Sequence, residues 1–237
     1  MLTTILSGGL IGLIFGFILQ RTRFCLTGGF RDMYIARNNT LFYAFLIAIT
    51  VESIGVLSLI KLGIIGNPYE EFSVLGAIVG SYLFGIGIVL AGGCATGTWY
   101  RAGEGLLGSW VALFFYMTSA AAMKSGFLVP LNQLIAKRWV INDDLAGQLG
   151  IPVWYLLVFL VAITSFIVIR ELRKPRRQIA TLPSKYKGVR HYLFEKTYHK
   201  YFAGFLIGLV ALIAWPASQL TGRVGGLGIT TPSAHLI

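Results

Sequence analysis

The sequence predicts an all-α integral membrane protein with about six spanning helices, and three observations support this fold class. Of the 237 residues, 56% are hydrophobic and 12% are charged, whereas about a quarter of a soluble domain is charged. The mean hydropathy is +0.74. The apolar residues are gathered into runs of ~20, the length that crosses a bilayer.

Six apolar runs are candidate spans. They cover residues 2–20, 41–62, 73–91, 105–123, 151–169 and 201–216. The first run has no basic start and no small-residue cleavage site, which favours a retained helix over a signal peptide. Residues 124–150 offer only ~10 apolar positions, too few to span. We expect a short interfacial or re-entrant helix there, on the outer face.

The distribution of basic residues predicts the orientation. Ten of the 20 Lys and Arg residues lie in the segment 170–200, and cytoplasmic loops collect such residues. We therefore expect a multi-pass protein with loop 170–200 in the cytoplasm and the N-terminus outside. A basic loop can also bind nucleic acid, but topology and contact with lipid headgroups explain it better, so no nucleic-acid partner is expected.

The two cysteines of the chain mark an internal repeat. Phe15-Gly16 precedes Cys25 by nine residues, and Phe84-Gly85 precedes Cys94 in the same way. Each cysteine lies where an apolar run breaks into glycines and threonines. We expect a single membrane domain, 1–237, with parallel repeat units at about 1–62 and 73–123. Repeats in transporters commonly build a site between the copies.

The two breaks are candidate sites for an anion. Irregular backbone survives at membrane depth only inside protein or beside a cavity, and a helix that starts there presents N–H groups and partial positive charge. The predicted substrate path and half-helix N-termini are Thr27, Gly28, Gly29, Gly92, Gly93, Thr96 and Gly97, and the residues predicted to attract the anion are Arg23, Arg31 and Arg101.

Cys25 and Cys94 are predicted to contact the substrate. A neutral thiol is a soft, polarizable group and a weak donor, which suits a sulfur-containing anion. The alternative is that both are small packing residues. The sequence has no Cys-x-x-Cys, no His-Glu-x-x-His and no zinc-like cluster of Cys and His. We therefore expect no metal, no cofactor and no catalytic residue.

Glu52 is the only acidic residue well inside an apolar run. A carboxylate in the membrane is costly and is by default a functional candidate. It could hold an arginine or carry a proton, and the alternative is a purely structural pairing.

The sequence ends in a glycine-rich break, residues 221–233, that follows the last apolar run. Such a break usually leads into another helix. The expectation is that the C-terminal part of a transporter is lacking, and three alternatives stay open: a fragment, a truncated gene product, or one half of a split transporter that a second chain completes.

At these motifs the sequence resembles the YeeE/YedE family of sulfur transport proteins. The resemblance is carried by three stretches in order, Gln20–Cys25 with Gly28–Asp32, Leu90–Gly97, and Gly222–Ser233. It implies an hourglass-like bundle that takes up thiosulfate across the bacterial inner membrane, with cysteines passing the anion along by S–H···S contacts. Cys25 and Cys94 match two of those cysteines, and the third belongs to a later segment. The resemblance also implies a TusA-type sulfur-carrier protein as a partner, for which loop 170–200 is a candidate docking surface.

Three functions remain open from the sequence. The first is a non-enzymatic transporter, or transporter subunit, for thiosulfate or a related sulfur anion. The second is a membrane thiol enzyme, either a sulfurtransferase or a disulfide oxidoreductase. The third is a non-transporting membrane scaffold.

Overall fold

The computed structural model describes residues 2–66, 72–137, 139–141, 150, 152–173, 198–219 and 225–230. Residues 174–197, which form most of the predicted cytoplasmic loop, lie outside this part of the chain. So do residues 221–224 and 231–233 of the glycine-rich end.

Helices dominate the described chain. They are α1 (Leu2–Thr22), α2 (Leu26–Tyr34), α3 (Thr40–Lys61), α4 (Val74–Leu90), α5 (Ala95–Gly103), α6 (Leu107–Ser125), α7 (Val129–Ala136), α8 (Val153–Leu172) and α9 (Lys200–Gln219). Two short strands, β1 (Phe72–Ser73) and β2 (Val140–Ile141), pair antiparallel. The all-α membrane class predicted from the sequence is confirmed.

The number of spans is close to the predicted six. Five stretches of the described chain are long and apolar enough to cross a membrane, and a sixth arises if α6 and α7 count as one span with a 70° bend. The first and third spans are broken helices, since Leu6–Tyr34 joins α1 to α2 and Val74–Gly103 joins α4 to α5. The two short helices after the cysteines therefore belong to spans. The short helix expected within residues 124–150 is present as α7.

Local sequence sets several helix ends. The Ser73 hydroxyl accepts a hydrogen bond from the Gly76 N–H at 3.1 Å and caps the start of α4. The Asn38 side chain accepts from the Thr40 N–H at 3.0 Å at the start of α3. These caps supply acceptors for backbone donors that a helix leaves free in its first turn.

The tightest packing in the described chain brings together α1, α3 and α9. Its buried residues are Ile18, Leu19, Phe24, Leu41, Ala44, Ala48, Ala203, Ile207 and Val210. Gly204 of α9 lies directly against the Ala44 carbonyl of α3, as small residues allow between membrane helices. The Thr50 and Thr164 hydroxyls, 3.0 Å apart, link α3 to α8. In contrast, α4 has no buried residue, so the core that supports the cysteines lies on the α1 side.

Candidate functional site

Each cysteine follows the same helix-ending motif. In the first copy the Phe24 N–H donates to the Leu19 carbonyl and the Arg23 N–H donates to the Gln20 carbonyl. In the second copy Gly93 donates to Ile88 and Gly92 donates to Val89. These are the bonds of a Schellman motif, which ends a helix with one residue in the left-handed conformation. Arg23 has φ 48° and Gly92 has φ 67°.

The cysteine then starts the next helix in both copies. Cys25 and Cys94 have extended backbone and are the N-cap residues of α2 and α5. Their carbonyls accept the first helical hydrogen bonds, from Gly29 and Thr98, both at 2.9 Å. The sequence thus builds one local structure twice, with a thiol at the junction of two helices.

The two thiols meet. The Sγ atoms of Cys25 and Cys94 lie 3.4 Å apart, within hydrogen-bonding distance for sulfur, and either can donate. Both are buried, with exposed fractions of 3% and 7%, and both are free thiols. The Gly97 N–H also donates to Cys94 Sγ at 3.4 Å. The predicted pairing of the two breaks is present in the structure, and residues 69 positions apart form a single sulfur pair.

A basic cavity of ≈ 1050 Å³ reaches one side of this pair. Cys25 and Gly28 line it. Its described lining includes five basic side chains, Arg21, Arg23, Arg31, Arg101 and Lys200, and two acidic ones, Asp32 and Glu104. Because the basic groups outnumber the acidic ones, the cavity attracts anions.

A second cavity, ≈ 890 Å³ and mostly apolar, lies beside the other break. Gly92, Gly93 and Thr98 line it, together with residues of α4 and α6. Arg101 lines both cavities, and its guanidinium donates to the Gly92 carbonyl. The sulfur pair therefore lies close to two cavities of different polarity that share one arginine.

The predicted glycines, threonines and arginines of the site divide into four groups. Gly28, Arg23 and Arg31 line the basic cavity, Gly92 and Gly93 line the apolar one, and Arg101 lines both. Thr27, Gly29, Thr96 and Gly97 lie in the first turns of α2 and α5 and are not among the lining residues. Of these four residues, Gly97 packs against Cys25. The buried hydroxyl of Thr27 has no hydrogen-bond partner among the described residues.

Glu52 lies apart from the sulfur pair. It is half-buried on α3, and its Oε1 accepts a hydrogen bond from the Trp215 indole N–H of α9 at 3.3 Å. Within the described chain its partner is thus an indole, and the ion pairs there do not include Glu52.

Sequence reasoning missed two residues of the site. Tyr100 lines the basic cavity with Cys25. Its position three residues after Gly97 on α5 places it on the same helix face, and that spacing was the available signal. Arg21, which was not among the predicted site residues, also lines the cavity.

Comparison with known proteins places the chain among sulfur transport proteins. A family model described as sulphur transport matches residues 21–237. The thiosulfate transporter TsuA of Escherichia coli (strain K12) is 52% identical over 237 residues, covering 100% of this chain and 67% of that protein.

Two further relatives are more distant. The thiosulfate transporter TsuA of Spirochaeta thermophila is 32% identical over 94% of this chain and 66% of its own length. The probable transporter YedE of Escherichia coli (strain K12) is 42% identical over 101 residues, 43% of this chain. The chain thus spans about two thirds of the length of the TsuA proteins that it matches. By the extent of these matches, the chain belongs to the YeeE/YedE family of sulfur transport proteins.

Proposed function

We propose that this chain is a transporter, or transporter subunit, that moves thiosulfate or a related sulfur anion across the bacterial inner membrane. The observation that carries the proposal is the 3.4 Å approach of Cys25 Sγ and Cys94 Sγ beside a basic cavity. Relatives that cover nearly the whole chain are named thiosulfate transporters. A transport role is therefore favoured over a membrane thiol enzyme or a scaffold.

The chemistry of the substrate fits the two kinds of group at the site. Thiosulfate has three oxygens, which accept charge-assisted hydrogen bonds from arginine, and a terminal sulfur that is soft and polarizable. A neutral thiol donates to that sulfur without adding negative charge. In our proposal Arg23, Arg31 and Arg101 attract the anion, and Cys25 and then Cys94 contact its terminal sulfur.

The geometry supports a relay. The thiols are already in contact, so an anion that takes a hydrogen bond from Cys25 replaces the bond between the two sulfurs. Cys94 keeps its contact with the Gly97 N–H. Each step exchanges one weak S–H hydrogen bond for another. Binding at each thiol therefore stays weak enough for the anion to be released.

Orientation and partners extend the proposal. The N-terminus is placed outside and loop 170–200 inside, following the bias of basic residues. A TusA-type carrier docking at that loop would receive the sulfur anion in the cytoplasm. The complete transporter would also include the part of the TsuA relatives that this chain does not match.

The test is uptake of labelled thiosulfate by proteoliposomes. The chain is reconstituted alone and together with a polypeptide equivalent to the remaining third of the relatives. Uptake in either preparation supports the proposal, and failure in both contradicts it.

Variants then test the relay. Cys25→Ser and Cys94→Ser should each lose most uptake while inserting normally, because a hydroxyl is a poor match for a soft sulfur. Ser81→Ala, at an exposed site on α4, is the control and should retain uptake. Full uptake by both serine variants would exclude the relay.

A further inference from the structure

The basic side chains around the cavity are not equivalent. Arg31 is paired with Asp32, with 3.0 Å between Nη2 and Oδ1. Arg101 donates to the Gly92 carbonyl. Arg23 is exposed. Arg21 differs from all three, because its Nη2 is buried and has no hydrogen-bond partner among the described residues.

A buried guanidinium nitrogen without an acceptor is unfavourable. Buried polar groups in proteins nearly always have a hydrogen-bond partner. A buried group without one has lost its hydrogen bonds to water, and no bond within the protein offsets that free-energy cost. The positive charge of the guanidinium makes this desolvation cost larger. A hydrogen-bond acceptor from outside the protein would offset the cost.

The acidic residues of the cavity do not take this role. Asp32 is engaged by Arg31. Glu104 accepts a hydrogen bond on Oε1 from the Gln20 amide at 3.1 Å. Gln20, the neighbour of Arg21, thus holds the second carboxylate and joins the end of α1 to the end of α5. Among the arginines that line the cavity, Arg21 is the one whose buried donor has no partner among the described residues.

We propose that Arg21 is the specificity-determining anion contact of the basic cavity, where it binds the oxygen end of the transported sulfur anion. The inference rests on the proposed function and adds a residue to it. Arg21 and Cys25 line the same cavity, four positions apart in the sequence, and in our proposal the guanidinium takes the oxygens of the anion while the thiol takes its terminal sulfur. The planar guanidinium suits two oxygens of a tetrahedral anion.

A tetrahedral oxyanion at this arginine has two sources, the substrate and the phosphate of a lipid headgroup. They are separated by measuring the protein in lipid-free detergent micelles. Thiosulfate should raise the thermal unfolding temperature of the unaltered protein there, and Arg21→Gln should need roughly 10- to 100-fold more thiosulfate for the same rise. If lipid phosphate is the partner, both proteins respond equally to thiosulfate, and the proposal is wrong.

Uptake kinetics give the second measurement. We expect Arg21→Gln to raise the KM for thiosulfate roughly 10- to 100-fold with little change in maximal rate, since one charge-assisted hydrogen bond is lost. Arg21→Lys should recover part of the loss, because it restores charge without the planar fork. The control is Arg173→Gln, the same change at an exposed arginine outside the cavity, which should leave KM unchanged.

The outcomes separate this inference from the proposed function. Uptake by the unaltered protein with an unchanged KM in Arg21→Gln overturns the role of Arg21 and leaves transport standing. A lower maximal rate with unchanged KM also overturns it, because that result indicates a structural role. If no preparation takes up thiosulfate, the proposed function fails, and the unfolding measurement still decides whether Arg21 binds the anion.

Discussion

The α-carbon of Gly97 packs against the thiol of Cys25. A Cβ at Gly97 would lie 2.8 Å from Cys25 Sγ and 3.6 Å from Cys94 Sγ. The first of these distances is shorter than real contacts of a Cβ. The absence of a side chain at Gly97 is therefore what lets the second repeat close on the first.

Gly97→Ala should separate the sulfur pair. The added methyl displaces Cys25 or α5, and the 3.4 Å contact between the sulfurs is lost. We expect thiosulfate uptake to fall on the order of 10- to 100-fold, as when reacting groups are misplaced by about 1 Å. Uptake is measured in proteoliposomes at matched protein content.

Gly103→Ala is the matched control for this change. Gly103 ends the same helix, and a Cβ there would have no atom within 4 Å. This variant should retain uptake. Normal uptake by Gly97→Ala would show that the close approach of the two breaks is unnecessary for transport.

The proximity of the thiols also predicts a disulfide under oxidation. Forming it takes one proton and one electron from each thiol, with diamide as the acceptor. The sulfurs must move from 3.4 Å to the bonded distance of about 2.05 Å. We expect diamide to protect both cysteines from alkylation after denaturation and to stop uptake, and we expect a reductant to reverse both effects.

Single variants provide the control for oxidation. Cys25→Ser and Cys94→Ser each leave one thiol, which should remain open to alkylation in the monomer after diamide treatment. If the unaltered protein also keeps two alkylatable thiols, the sulfurs are not close enough in the membrane to react.

Much of this site could be predicted from the sequence because neighbouring residues determine its backbone and the same motif occurs twice. The positions of the helix breaks follow from glycine and cysteine at fixed spacing, and α2 and α5 begin at Leu26 and Ala95, within two residues of the predicted half-helix starts. In each copy one short segment specifies its own backbone. The repeat also predicts a site between the two copies, whereas the direct contact of the Cys25 and Cys94 sulfurs is a finding of the structure.

The rest depends on contacts between distant segments. The hydrogen bond from Gln20 to Glu104 spans 84 positions, and the one from Trp215 to Glu52 spans 163. No local pattern reports such pairings. That is why the sequence did not mark Arg21 as a residue of the cavity and did not identify Trp215 as the partner of Glu52. The small residues of α9 are typical of a helix that packs closely against another. They do not indicate which helix that is.

The contact between α9 and α3 predicts where the fold is fragile. At Gly204 a Cβ would overlap the Ala44 carbonyl, and backbone atoms cannot move aside as a side chain can. We expect Gly204→Ala to destabilise the protein by about 1–3 kcal/mol, the usual cost of overpacking. The measurement is the thermal unfolding temperature in detergent.

Gly85→Ala on α4 controls for the change from glycine to alanine in a membrane helix. A Cβ at Gly85 would have open space, so the unfolding temperature should stay the same or rise slightly. Equal unfolding temperatures for the two variants would mean that α3 and α9 do not pack as closely as described.

The last prediction concerns the carboxylate at Glu52. Its hydrogen bond from Trp215 joins α3 to α9 at 3.3 Å, so its first role is to hold these helices together. Trp215→Phe removes the donor and should destabilise the protein by about 1 kcal/mol, a typical value for a hydrogen bond between membrane helices. Glu52→Gln keeps an acceptor oxygen but cannot ionise, so it should retain both the unfolding temperature and thiosulfate uptake. A stable Glu52→Gln protein without uptake would show that transport needs the ionisable carboxylate and not only its hydrogen bond.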